Sequence, residues 1–157
     1  MPRSEMHVGL ISDTHGLLRP EVVTALAGSD FIVHAGDIGD LSILDRLSQI
    51  APTTAVRGNN DKGNWALRIP ETEVLDVGTI LIYVLHDISE LDLDPVSAGF
   101  QVIVAGHSHQ PSIEWRDSVL FVNPGSAGPR RFKLPVSVAQ LTISGQAVSP
   151  RLIELDV

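Results

Sequence analysis

Residues 8–16 read V-G-L-I-S-D-T-H-G, an apolar run that ends abruptly in an aspartate, a histidine and a glycine. A short run of this kind reads as a buried strand, and the next segment turns to a different period. Pro20–Ala27 carries apolar residues at helical spacing, with Pro20 suited to a first turn and Gly28 to a stop. The pattern then recurs. Phe31–His34 is a second buried strand, Leu41–Gln49 a second helix with Leu41, Leu44 and Leu47 on one face, and Thr53–Val56 a shorter third strand. Strands alternating with amphipathic helices predict βαβ units and a largely parallel sheet.

The rest of the chain is richer in strands. Glu73–Val77 and Thr79–Leu85 flank Gly78 as a hairpin, and Gln101–Ala105 is another buried run. Ser112–Arg116 and Val119–Val122 flank Asp117-Ser118, and Pro135–Ile143 and Ala147–Leu155 flank Ser144-Gly145. No internal repeat, low-complexity tract or linker interrupts the 157 residues. The expectation is one α/β domain spanning 1–157, with two mixed β-sheets and helices packed outside them.

Composition narrows the function. A net charge of −8 argues against general binding of nucleic-acid backbone or anionic membrane. Cysteine is absent, which removes disulfides and thiolate metal sites and agrees with a cytoplasmic location. The start, M-P-R-S-E-M-H, has no apolar segment of signal-peptide length, and runs such as Ile80–Leu85 are too short to cross a bilayer.

The chemistry sits at the strand ends. After the successive strands come Asp13-Thr14-His15-Gly16, then Gly36-Asp37-Ile38-Gly39-Asp40, then Gly58-Asn59-Asn60-Asp61, then His86-Asp87, and finally Gly106-His107-Ser108-His109. In open α/β sheets, sites form outside the carboxyl ends of strands, so these clusters should converge. Each has a plain structural reading. Asp13 suits a helix cap, Asp40 is better as an N-cap than as a ligand, and His86 alone suits a hydrogen-bonded core. Their order and shared strand context favour a metal site. Asp13, His15, Asp37, Asn59, His86, His107 and His109 supply imidazole and oxygen donors, a set suited to Mn, Fe, Zn, Co or Ni rather than Ca or Mg. Seven side chains exceed one open site and suffice for two divalent ions sharing a carboxylate, with His107 and His109 directed at different ions.

This ordered set resembles the calcineurin-like metallophosphoesterases, over about residues 7–130. The motifs are Asp13-x-His15, Gly36-Asp37-x-x-Asp40, Gly58-Asn59-x-Asp61, His86 and Gly106-His107-x-His109. The following Asn123-Pro124-Gly125-Ser126 is similar to the end of the small single-domain bacterial and archaeal phosphodiesterases. The resemblance implies a four-layer α/β/β/α sandwich. It also implies that Asp13, His15 and His109 hold one metal, that Asn59, His86 and His107 hold the other, and that Asp37 bridges. The implied reaction is hydrolysis of a small phosphoester, most simply a diester, by a metal-bridging hydroxide, with Mn²⁺ as the expected activator in assay. Asp37, Asn59 and His107 then act through the metals.

Two positions depart from the pattern. Asn60 stands where larger relatives carry a general-acid histidine, which the small phosphodiesterases also lack. Asp87 replaces a common glycine, with two expected effects: a hydrogen bond to His86 or a narrower phosphate pocket. His34 is expected to be buried at a strand end, and His7 to belong to the first strand. Trp65 and Trp115 are expected to pack, and the Arg130, Arg131 and Lys133 cluster to be a solvated face. A homo-oligomer is compatible with all of this. The alternative is a scaffold of the same fold with weak or no catalysis, as in the retromer subunit that shares it.

Overall fold

A computed structural model describes residues 5–157; the first residues of the M-P-R-S-E-M-H start lie outside the described residues. Ten strands form two five-stranded sheets. The first contains β1 (Met6–Ile11), β2 (Phe31–His34), β3 (Thr53–Ala55), β9 (Val136–Ser144) and β10 (Ala147–Leu155), in the order β10-β9-β1-β2-β3. β1, β2 and β3 are parallel, as the alternation with helices α1 (Pro20–Leu26) and α2 (Leu41–Ser48) requires. β9 and β10 are added antiparallel at one edge.

The second sheet contains β4 (Thr72–Val77), β5 (Ile80–Leu85), β6 (Val102–Val104), β7 (Ser112–Arg116) and β8 (Val119–Asn123), in the order β4-β5-β6-β8-β7. β5, β6 and β8 run parallel, and β4 and β7 pair antiparallel as the two edges. Both sheets are therefore mixed. The three expected hairpins, across Gly78, Asp117-Ser118 and Ser144-Gly145, are present.

The sheets pack face to face. Val8, Leu10 and Val33 of the first meet Ile82, Val102, Val104 and Leu120 of the second in one buried cluster. The strands of the first sheet are buried on their other face too, because Val22, Leu26, Ile43 and Leu47 of α1 and α2 cover Ile11 and Ile32. That double burial explains why β1 and β2 read as near-continuous apolar runs. The fourth layer is thin. It consists of a single turn at Ile88–Glu90 and the four-residue α3 (Pro95–Ala98). The result is an α/β/β/α sandwich with unequal helical layers. Among the described residues no helix is long and apolar enough to cross a membrane.

Topology places the chemistry. Loops 13–16, 36–40 and 57–61 leave the carboxyl ends of β1, β2 and β3, and residues 86–87 and 106–109 leave those of β5 and β6. All belong to parallel strands, so the two sheets deliver their loops to a common edge.

Candidate metal centre

At the end of β1, Asp13 splits its carboxylate. Its Oδ2 accepts from the Ser12 hydroxyl at 2.6 Å and from the His107 backbone N–H at 3.1 Å. Its Oδ1 is buried and accepts no hydrogen bond among the described residues. That orphaned oxygen is surrounded by ring nitrogens: His109 Nε2 at 3.4 Å, His15 Nε2 at 3.9 Å and His86 Nε2 at 4.0 Å. His15 Nε2 and His109 Nε2 are themselves 3.4 Å apart.

Asp37, after β2, faces both sides of the cluster. Its Oδ2 lies 3.3 Å from His86 Nε2 and 3.7 Å from His15 Nε2. Asn60 anchors it, donating its backbone N–H to Oδ1 at 2.9 Å and its side-chain amide to Oδ2 at 3.0 Å. His86 donates from Nδ1 to the Ala35 carbonyl at 2.8 Å, which fixes the tautomer and leaves the Nε2 lone pair aimed at the cluster. His107 Nδ1 completes the second side, 3.3 Å from His86 Nε2 and 3.2 Å from Asn59 Oδ1.

The seven side chains singled out in the sequence thus meet at one place. Asp13, Asp37, His86 and His109 are buried, His15 is half-buried, and Asn59 and His107 are exposed at the mouth. Two sets of donor atoms lie close enough to hold an ion, Asp13 with His15 and His109, and Asp13 with Asp37 and His86, and His107 and Asn59 stand against His86 on the second side. Five of the seven adopt left-handed backbone, with φ of 56° at Asp13, 47° at His15, 56° at Asp37, 71° at His107 and 64° at His109. Such conformations cost of order 1–3 kcal/mol each and gather at functional sites.

The electrostatics match the geometry. Burial works against ionisation of Asp37, but hydrogen bonding and charge from His86, with the Asn60 donors, hold its carboxyl well below the usual range. Burial opposes Asp13 in the same way and is outweighed by the His109 imidazole, the Ser12 hydroxyl and the His86 charge. His86 is pushed up despite its burial, chiefly through Asp37 and the Ala35 carbonyl. Acceptor atoms facing acceptor atoms at 3.2–4.0 Å repel unless a cation or a proton lies between them. Around a first-row ion with ligand bonds of about 2.1 Å, adjacent donors stand roughly 3.0–3.4 Å apart, so the donors fit such an ion with small movements.

The expectations for Asp87 and Trp115 change, and those for Asp40, His34, His7, Trp65 and the basic cluster hold. Asp87 turns toward His107, its Oδ2 3.7 Å from Nε2, and not toward His86, because Ser89 holds its other oxygen with a backbone N–H at 3.0 Å and a hydroxyl at 2.8 Å. Asp40 is the N-cap of α2, accepting from Ser42 N–H, and takes no part in the cluster. His34 is buried beside it, bonded to the Thr14 hydroxyl and the Gly36 N–H. His7 lies on β1, Trp65 packs against the α-covered core, and Trp115 is exposed instead of packed. Arg130, Arg131 and Lys133 are exposed.

Three supports went unrecognised in the sequence. Asp61 is buried and accepts from three backbone N–H groups, those of Ile38, Gly39 and Gly58, so it ties the loop after β2 to the loop after β3. Asn123 donates to the Gly106 carbonyl and the Ser108 hydroxyl, bracing the loop that carries His107 and His109. Ser126, from the same Asn-Pro-Gly-Ser turn, donates to the Asp13 carbonyl. The motifs contained all three residues, but only long-range contacts reveal their work.

Residues 6–146 match the family model of the calcineurin-like phosphoesterase superfamily domain. The chain belongs to that superfamily. A probable metallophosphoesterase of Methanocaldococcus jannaschii is 33% identical, over 96% of this chain and 82% of that protein. A phosphodiesterase of the same archaeon is 27% identical, over 76% of this chain and 83% of its own length. Among solved structures, vacuolar protein sorting 29 of Cryptosporidium parvum superposes with a TM-score of 0.83 at 21% identity, covering 97% of this chain and 92% of that one. That last likeness establishes the fold. Superfamily membership makes the chain a metallophosphoesterase-type hydrolase, and the facing donor groups are its candidate metal centre.

Proposed function

We propose that residues 1–157 act in the cytoplasm as a single-domain phosphodiesterase with two transition-metal ions at the edge shared by the two sheets. The observation that carries the reading is the orphaned, buried Oδ1 of Asp13, with imidazole nitrogens on three sides of it. A buried carboxylate oxygen without a donor is costly, and a bound cation removes that cost. In this reading Asp13, His15 and His109 hold one ion, Asn59, His86 and His107 the other, and Asp37 serves both. The imidazole-rich donors favour Mn²⁺, Fe²⁺, Zn²⁺, Co²⁺ or Ni²⁺, with Mn²⁺ the proposed activator in assay. Ions so bound would polarise the phosphoryl oxygens and supply a water nucleophile at neutral pH.

The chain's own residues set the geometry. Asn60 keeps the Asp37 carboxylate turned toward both donor groups. Asp61 and Asn123 hold the three loops in register, so reacting atoms meet groups that need little reorganisation. Nothing in the proposed step requires a serine or cysteine nucleophile, and a small phosphoester reaches the cluster at exposed Asn59 and His107.

The fold likeness to vacuolar protein sorting 29 supports a second reading, a protein-interaction scaffold. The test is turnover of bis(para-nitrophenyl) phosphate by protein stripped with a chelator and reloaded with Mn²⁺, Zn²⁺ or Ca²⁺. Activity abolished by stripping and restored by a transition metal is the expected result. Metal binding without turnover of any mono- or diester would favour the scaffold, and full rescue by Ca²⁺ alone would refute the donor argument.

A further inference from the structure

The outer face of the second sheet is covered only in part. Leu91, Leu93 and Phe100 pack on Tyr83 and Leu85, but a cavity of about 170 Å³ remains along β6, β8 and the edge strand β7. Buried Ile103 and Ala105 line it with Phe121, and Ser112 and Arg116 line it from β7. His107, a member of the candidate metal centre, is part of the same wall. The Phe121 ring is fixed there by the Arg116 guanidinium, 4.8 Å from its centroid, which Glu114 holds at 2.8 Å.

These features define what the cavity accepts. His107 belongs both to its wall and to the candidate metal centre, so the cavity adjoins the place where a phosphoester would sit. The wall formed by Ile103, Ala105 and Phe121 favours hydrocarbon, with the charged Asp87, Glu114 and Arg116 standing among the other lining residues. The cavity is no smaller than the roughly 150 Å³ of an apolar protein cavity that holds benzene, so one six-membered ring fits. The geometry points to a subsite for a single six-membered aromatic ring borne by the organic group of the phosphodiester. This assignment rests on the phosphodiesterase reading above.

Phosphonates separate ring binding from leaving-group chemistry, because their P–C bond is not hydrolysed. Methyl- and phenylphosphonate are titrated calorimetrically into Mn²⁺-loaded protein. Burying one phenyl ring should tighten binding roughly ten- to a hundredfold over methyl. Ser112→Trp, at an exposed edge-strand position, should fill the cavity, reduce phenylphosphonate to the methyl level and leave methylphosphonate unchanged. Phe121→Ala should weaken phenylphosphonate toward the methyl level, which keeps the test open if the first variant misfolds. Equal affinity for methyl- and phenylphosphonate, or a phenyl advantage untouched by both variants, overturns the subsite. If bis(para-nitrophenyl) phosphate is still turned over in that case, the subsite alone fails. Absence of both turnover and phosphonate binding overturns the subsite and the phosphodiesterase reading together.

Discussion

Asp61 and Asp37 carry the same functional group and do opposite work. The Asp61 carboxylate is saturated by the N–H groups of Ile38, Gly39 and Gly58, whereas Asp37 keeps an oxygen directed at imidazoles. Asp61 thereby becomes a brace. Asp61→Ala leaves those donors unpaired at a buried position and should cost roughly 3 kcal/mol of stability. Urea denaturation of the metal-free protein measures this, and a loss below about 1 kcal/mol would contradict the bracing role. Asn60 is likewise occupied, with both of its donors on Asp37. Without an imidazolium acid there, cleavage should slow sharply as leaving-group pKa rises, since general acid catalysis is typically worth ~10²–10⁴-fold. Rates on a graded series of aryl and alkyl diesters test this; a flat dependence with chemistry rate-limiting would place another acid at the site.

His34 supplies a pH signature distinct from that of the cluster. Complete burial lowers its pKa from 6.5 to about 4, against the opposing charges of Asp13, Asp61 and Asp37, with His86 adding to the lowering. The folded pKa lies below the unfolded one, so between about 4 and 6.5 only the unfolded chain takes up the proton. Stability therefore falls as pH drops from 6.5 toward 4, by roughly 3 kcal/mol in all. Asp13 and Asp37, shifted down from 3.8, lose their own contributions only as pH falls below that value. A His34→Gln protein, metal-free, should show a much flatter stability profile between pH 4 and 6.5. An unchanged slope would assign the effect elsewhere.

At the scale of the element, strand ends position the ligands only because glycines beside them admit close approach. A Cβ on Gly58 would strike the backbone nitrogen and Oδ1 of Asp37, and one on Gly106 would strike Ser12 and Asp13. Gly58→Ala should therefore displace Asp37 and weaken Mn²⁺ binding at least about tenfold, comparable to loss of an outer-shell partner. Gly78, at φ 62° in the β4–β5 turn, faces open space. Gly78→Ala should cost about 1 kcal/mol of stability and leave Mn²⁺ affinity intact. Equal metal affinities in the two variants, read by calorimetry, would show that the glycine contact does not position Asp37.

Much of this level was legible in the sequence, since its signals are local. The Gly78, Asp117-Ser118 and Ser144-Gly145 turns mark their hairpins, and helical spacing marks α1 and α2. Strand partners were not legible. The insertion of β6 between β5 and β8 is set by packing between the sheets, which no local pattern encodes. α3 is too short for periodicity, although Asp94, Pro95 and Gly99 are proper cap, first-turn and stop residues. The seven clustered side chains were legible as a set because each follows a strand, while the supporting work of Asp61, Asn123 and Ser126 depends on partners remote in sequence.

Across the whole molecule, each sheet supplies what the other lacks. The first contributes Asp13, His15, Asp37 and Asn59, and the second His86, His107 and His109. Neither sheet holds a complete donor set for two ions, so the inter-sheet core around Leu10, Val33, Ile82 and Val104 is also what assembles the candidate centre. The proposed bridge between the two halves is one carboxylate, Asp37. Elemental analysis after equilibrium dialysis against Mn²⁺, on wild type and Asp37→Ala with folding checked by circular dichroism, tests it most directly. Two ions per wild-type chain and loss of both from the variant are the expected result. Two ions retained by a folded Asp37→Ala protein would contradict it.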